Sequence, residues 1–291
     1  MSTGNLDISK TLQRAAIQSR KMAVMAQWWT RNETLPERES RSRLRRLAPW
    51  ITVVFVLAMW QIAAMTDAVP PSLLPAPLDV GDRFIRVIRD GRLWAHFSIT
   101  LVEVIAGLGL GVGLGLALGY AIAHVPLLED FLSPLIVGLQ STPVVAYAPL
   151  LVIWFGSGPT SKVFICALIV FFPMLMNTVV SIRNVPDSLR DLMRVSHANR
   201  WQMFIKLEVP AALPVLLTGL KTAATLAVIG AVVGEFIYAQ SGIGVMIIVA
   251  RSQYDTALVY VGVIVLGVLA RCMYGLVALL ERRLLVWQRY T

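Results

Sequence analysis

The sequence predicts an all-α, polytopic membrane protein, and three observations carry that expectation. Of its 291 residues 57% are hydrophobic and only 15% are charged, where a soluble domain carries about 25% charged residues. The apolar residues gather in uncharged runs near the roughly 20 residues that a helix needs to cross a roughly 30 Å hydrocarbon layer. Lys and Arg lie mostly between and beyond those runs. Helices are the form expected of the runs, because in lipid every backbone N–H and C=O has to be satisfied inside the segment or in a closed barrel.

Six spans are expected: Pro49 to Thr66, Ser98 to Ala123, Phe131 to Phe155, Val163 to Ile182, Leu213 to Phe236 and Ala257 to Leu280. The third contains Gln140-Ser141-Thr142-Pro143 and then Pro149, so a bend or break is expected near its middle. The second carries Gly107, Gly111, Gly115 and Gly119 at fourfold spacing, a smooth stripe suited to close helix approach. Before it, Pro70 to Pro77 is too proline-rich to propagate a helix, while Leu78 to Gly91 places Val80, Phe84, Val87 and Ile88 at helical spacing. That pattern predicts a short surface helix.

Six spans put both termini on one side, and the basic residues choose which. Residues 1–48, the 183–210 loop and the segment after the last span together hold eighteen Lys and Arg, against six in the intervening loops. The excess assigns both termini and that loop to the cytoplasm. The formal charge of +9 is thus topological, and no nucleic-acid partner is expected. The polar segment 1–48 lacks the apolar core of a secretory signal. It reads as a basic cytoplasmic tail whose cluster from Arg38 to Arg46 either sets topology or touches anionic headgroups. Residues 49–286 are expected to form the membrane domain, and 287–291 a short cytoplasmic end. Cys166 and Cys272 both fall in apolar runs and have no metal-site or disulfide spacing.

The stretch from Asn184 to Pro210 reads as two short helices. Ser188-Leu189-Arg190-Asp191 has the form of a capping box after Pro186, and Leu189, Leu192, Met193 and Ser196 then share one less polar face. That helix is expected to stop near His197-Ala198-Asn199. Trp201, Phe204 and Ile205 repeat the amphipathic pattern up to Val209-Pro210, where proline disfavours continuation. An apolar face beside a membrane can lie on lipid or fill a groove in a soluble partner.

Charges within spans default to functional roles. Glu235, Glu103 and Lys221 are of this kind, and each can instead be paired at an interface or, for Lys221, reach the surface along its stem. Gln140, Ser141, Thr142 and Asn177 are polar at span depth. With Tyr147, Met174 and Glu235 they either line a solute route or bond between helices.

Asp191-Leu192-Met193, His197 and Pro210-Ala211-Ala212-Leu213-Pro214 together resemble the signature loop of binding-protein-dependent permeases of the type I ABC importer fold. Asp191 stands where that family has Glu, Leu192-Met193 where it has an Ala pair, and His197 where it has Gly. The resemblance extends over roughly residues 50–286 and includes Leu74-Pro75-Ala76-Pro77, Pro149 to Gly156, Phe171-Phe172-Pro173 and Ser241-Gly242-Ile243-Gly244. It lies with the branch that handles nitrate, sulfonates, bicarbonate and precursors of thiamine or riboflavin. The stretch Ala223 to Phe236 is more similar to the vitamin-type members.

The resemblance implies a permease subunit in the cell membrane, paired with a second copy or a close relative, fed by an extracytoplasmic binding protein and driven by an ATPase pair. Ser188, Asp191, Leu192, Met193, His197, Ala198, Trp201 and Phe204 would form the loop docked on the ATPase. The chain has no Gly-x-x-x-x-Gly-Lys-Ser/Thr motif, so ATP would be hydrolysed by the partner; no cofactor or metal is expected. An ion-driven transporter would call for inverted repeats with paired broken helices, and an intramembrane enzyme for converging catalytic groups. Neither pattern is present, since His96, His124 and His197 lie at span edges or in loops.

Overall fold

A computed structural model describes residues 41–66, 70 and 72–286, with the backbone alone for 41–50. Most of the basic tail and the end at 287–291 lie outside the described residues. The described residues up to Met59 fall in one unit and those from Trp60 onward in a second. Every regular element among the described residues is helical.

Helix α1 (Arg41–Met65) begins before the expected first span, and its side chains from Ile51 to Met59 are exposed. In the second unit, α2 (Pro77–Arg89) is the expected short helix, begun by Pro77 and burying Val80 and Val87. Then follow α3 (Arg92–His124), α4 (Pro126–Ser141), α5 (Val144–Phe155) and α6 (Pro159–Arg183). The third expected span is broken where Gln140 to Pro143 interrupt it, with α4 and α5 meeting at 100°. Thr142 and Pro143 are extended there, and the hydroxyls of Ser141 and Thr142 both donate to the Gly138 carbonyl, at 2.9 and 3.1 Å.

The core is a stack in which α3 packs on α6, α6 on α9 (Val209–Tyr238), and α9 on α11 (Thr256–Leu284). The glycine stripe of α3 makes the first contact. A side chain at Gly107 would run into Cys166, one at Gly111 into Ala167 and Val170, one at Gly115 into Met174, and one at Gly119 into Thr178. Both sets advance by four, so the two helices run in the same direction. On the other face of α6, Gly219 meets Asn177, Gly230 meets Cys166 and Gly234 meets Lys162. Here the numbers run oppositely, so α9 is antiparallel. Cys166 is buried between glycines of both neighbours and its thiol donates to the Ala227 carbonyl at 3.2 Å.

Among the described residues, length and composition qualify four helices as spans, the broken pair adds a fifth, and Ile51–Met65 is a shorter apolar helix. The 15 residues of that last stretch rise about 22 Å, less than the hydrocarbon layer. A further apolar helix, α10 (Ile243–Ser252), is too short to span and packs on α11.

Two expectations in the loop are corrected. The helix α7 (Asp187–Val195) has Pro186 as its N-cap and no side-chain cap, so Ser188 forms no capping box. The box sits instead at α8 (Arg200–Met203), where the Asn199 side chain accepts from the Gln202 N–H at 2.8 Å and Gln202 returns the bond at 3.0 Å. Nor does Pro210 end the second helix. A π-helical turn over Phe204–Glu208 leads directly into α9, making one continuous helix from Arg200 to Tyr238. The wider turn shifts the hydrogen-bond register, and Pro210 then falls in the first turn of α9, where a missing N–H costs little.

Candidate functional site

The two ends of the stack are built differently, and the loop end carries the residues singled out from sequence. Helix α7 stands off the bundle: Leu189, Leu192 and Val195 are exposed, with Leu192 at 61% and Val195 at 78%. Ser188 and Asp191 are exposed, Asp191 pairing with Arg194 at 3.0 Å. Met193 is half-buried. Helix α7 ends in a double turn: the His197 N–H donates to the Arg194 carbonyl at 2.9 Å and the Ala198 N–H to the Met193 carbonyl at 3.0 Å. Such a reversal needs a left-handed residue, and His197 supplies it at φ 54° in place of the usual glycine. Trp201, 67% exposed, leans on Phe204 at 5.7 Å, and Phe204 meets Tyr120 of α3 edge-on at 5.2 Å.

Behind this surface the loop is fastened to the stack. Glu208, buried, accepts from the Tyr120 hydroxyl at 3.0 Å and faces His124 Nε2 at 2.9 Å. Arg190 donates to the Ile182 carbonyl at 2.7 Å, and Arg183 pairs with Glu129 of α4. Lys221 of α9 pairs with Glu281 of α11 at 2.9 Å. An apolar cavity of about 860 Å³ lies under the loop, bordered by Gly113, Tyr120, Thr178, Trp201, Phe204 and Leu216 among others. The loop thus presents an apolar outer surface, and its inner side is anchored to the stack.

At the opposite end, Glu235 is buried and accepts from the Thr100 hydroxyl at 2.6 Å and from the Gly244 N–H. The Thr100 oxygen in turn accepts from the Ile243 N–H at 2.9 Å, and His96 from the Gly242 N–H at 3.1 Å. Gly242, at φ 126°, leaves room where a side chain would strike the Glu235 carboxylate. Next to it, Lys162 and Glu103 are both buried, 3.2 Å apart. Lys162, counted from sequence among the loop charges, is therefore an interior residue, while the i, i+4 step back from Gly107 and Cys166 leads to Glu103 and Lys162. Asp255 closes this end: it caps α11 through the Leu258 N–H at 3.1 Å and binds Arg83 of α2.

The residues set apart as route candidates are not gathered in one place. Gln140, Ser141 and Thr142 sit at the break between α4 and α5, the first two exposed, and Tyr147 follows on α5, half-buried. Met174 is buried against the glycine stripe, and Asn177 donates to the Pro173 carbonyl at 2.8 Å beside Gly219. Glu235 borders a shallow cleft with Ser157, Phe236 and Tyr238. Sequence reasoning passed over Asn199, Asp255 and the Tyr120–His124–Glu208 group. Asn199 had a local signal in the Asn-x-x-Gln spacing of a capping box, and Asp255 in its place directly before an apolar run, while the Tyr120–His124–Glu208 group had none.

Among curated proteins, the chain is 42% identical to the riboflavin transport system permease protein RibX of Chloroflexus aurantiacus, covering 88% of this chain and 98% of that one. It is 33% identical to a putative aliphatic sulfonates transport permease protein, SsuC, of Bacillus subtilis over 89% of this chain and 94% of that one. It is also 33% identical to the formylaminopyrimidine transport permease protein ThiX of Halalkalibacterium halodurans, over 84% and 96%. Among solved structures, a chain of the inward-facing MetNI methionine ABC transporter superimposes with a TM-score of 0.55 at 18% identity, over 68% of this chain and 95% of that one. That likeness establishes the fold. Residues 107–286 match the family model described as "binding-protein-dependent transport system inner membrane component", and the chain belongs to that family, as an ABC importer permease subunit.

Proposed function

We propose that this permease subunit carries riboflavin into the cytoplasm. The observation that carries the cargo is the 42% identity over nearly the whole length of RibX, against 33% for the sulfonate and formylaminopyrimidine permeases. A pyrimidine-type thiamine precursor is the second reading, favoured by the ThiX relative. Two copies enclose the route, an extracytoplasmic binding protein delivers the solute, and a separate ATPase pair supplies the energy. Both termini and the 184–210 loop lie in the cytoplasm, a reading supported by the excess of Lys and Arg on that side, eighteen against five once Lys162 is set aside as interior.

The loop supplies the coupling. Leu192, Val195 and Trp201 together offer exposed apolar area that a groove on the ATPase would bury, and an amphipathic helix in a groove is a standard recognition mode. Because the second loop helix is continuous with α9 through the π turn, displacement of the loop moves a helix that reaches Glu235 and Gly234 at the far end. There the Thr100–Glu235–Gly244 bonds tie α3, α9 and the start of α10. Glu235 accordingly acts at the outer closure of the route. Gln140, Ser141, Thr142, Tyr147, Met174 and Asn177 are proposed to line or shape the route at and below the α4–α5 break.

The cargo is tested by uptake of radiolabelled riboflavin into cells that express this chain with its binding protein and ATPase, with taurine and formylaminopyrimidine as competitors. Uptake suppressed by unlabelled riboflavin alone supports the assignment. Uptake of a competitor but not riboflavin replaces it.

A further inference from the structure

Of the four unbroken spanning helices among the described residues, α11 is the least covered, with 17% of its apolar window buried against 50% in α6. In its middle stands Arg271, the sixteenth of 29 residues. It is exposed and has no ion pair or hydrogen bond among the described residues; its one partner is the Tyr274 ring, 5.8 Å away. Its guanidinium lies along its own helix beside Gly275. From there to the next charged residue, Glu281, is six residues, about 9 Å of helix.

A charge at that depth faces protein or water rather than acyl chains. Among the described residues, a second copy of the chain offers it no unengaged carboxylate at mid-helix. Glu103 is held by Lys162 and Glu235 by Thr100 and Gly244, while Glu208, before α9, is held by Tyr120 and His124, and Glu281, near the end of α11, by Lys221. The other acidic side chains among the described residues lie on loops, on α2, or on the loop-end turns of α4 and α7. Gly267, one turn before, has open space beside it.

We infer that Arg271 lines the water-filled solute route and binds acceptor oxygens of the solute, ring carbonyls or an oxoanion, through its planar fork of N–H donors. The inference rests on the permease reading and adds to it a solute-binding residue outside the set foreseen from sequence. A guanidinium beside an aromatic ring also suits a flat conjugated solute, by stacking.

The test uses the whole transporter, with its ATPase and binding protein, in proteoliposomes, carrying Arg271→Cys in a Cys272→Ser background. The expected result is modification of the introduced thiol by a charged, membrane-impermeant methanethiosulfonate, slowed when riboflavin or, for an oxoanion, taurine is present with ATP. Aminoethyl modification, which restores a positive charge, should recover uptake that a neutral methyl reagent does not. In Arg271→Gln, KM for uptake should rise about 10- to 100-fold, as for loss of a hydrogen bond to a charged group, while binding-protein-stimulated ATP hydrolysis persists. An introduced thiol that is inert in every nucleotide state, disulfide-linked to its counterpart in the second copy, or labelled without protection by either solute would overturn the inference. A wild-type complex that moves taurine and not riboflavin would remove the proposed cargo and leave the labelling result to decide on Arg271.

Discussion

Substituting alanine at Gly111 should open the α3–α6 contact, whereas the same change two residues on, at Gly113, should not. A Cβ at Gly111 would stand 2.5 Å from the Ala167 carbonyl oxygen and 2.9 Å from Val170 Cβ. Ordinary contact begins at 3.4 Å, so the helices must part by about 0.9 Å, and the obstructing atom is backbone that cannot rotate aside. Overpacking of this kind costs about 1–3 kcal/mol. Gly113 has nothing within 4 Å of its own Cβ position, so alanine there should gain about 0.5–1 kcal/mol through reduced backbone freedom. Thermal unfolding of the detergent-solubilised chain, followed by size-exclusion fluorescence, should show Gly111→Ala melting several degrees lower and Gly113→Ala unchanged or slightly higher. At about 2–4 °C per kcal/mol for a chain of this size the two are resolvable. Equal losses in both variants would refute the argument that one glycine stripe, and not glycine content, sets the packing.

Other outcomes follow from single contacts. His197→Gly should stabilise the loop by up to about 1 kcal/mol, since glycine takes φ 54° without a Cβ penalty; slower hydrogen exchange across residues 192–200 would show it. Lys162→Met should lower stability by about 3–5 kcal/mol by leaving Glu103 buried beside no cation, while Lys162→Met with Glu103→Leu should recover most of the loss in the same melting assay. Asp255→Ala removes the cap of α11 and the Arg83 tie together, and should cost about 1–2 kcal/mol, the upper range for a helix cap.

The long helices were legible because composition and run length report burial in lipid directly. Helix α2 and the break at Gln140 to Pro143 followed from local pattern and proline geometry. The glycine stripe held more than packing. Its register on α6 has a constant offset, pairing Gly107 with Cys166 and Gly119 with Thr178, and the same offset carried one turn back pairs Glu103 with Lys162. No single-helix pattern shows that, because it depends on which two helices meet. The π turn at Phe204–Glu208 was hidden for a different reason. Proline at 210 has one local meaning in an α-helical register and another once the register shifts. The Asp255 joint stayed out of sight because its partner Arg83 lies 172 residues away.

The central claim, that the 184–210 loop couples this permease to a separate ATPase, is tested most directly by purifying the tagged chain in mild detergent with its ATPase and measuring hydrolysis in proteoliposomes. For the wild type the account predicts a stoichiometric ATPase and hydrolysis stimulated by the binding protein. For Leu192→Glu with Trp201→Glu, whose side chains are exposed, Trp201 leaning on Phe204, it predicts a folded chain that loses the ATPase or its stimulation. A double variant that retained full stimulated hydrolysis and uptake would contradict it.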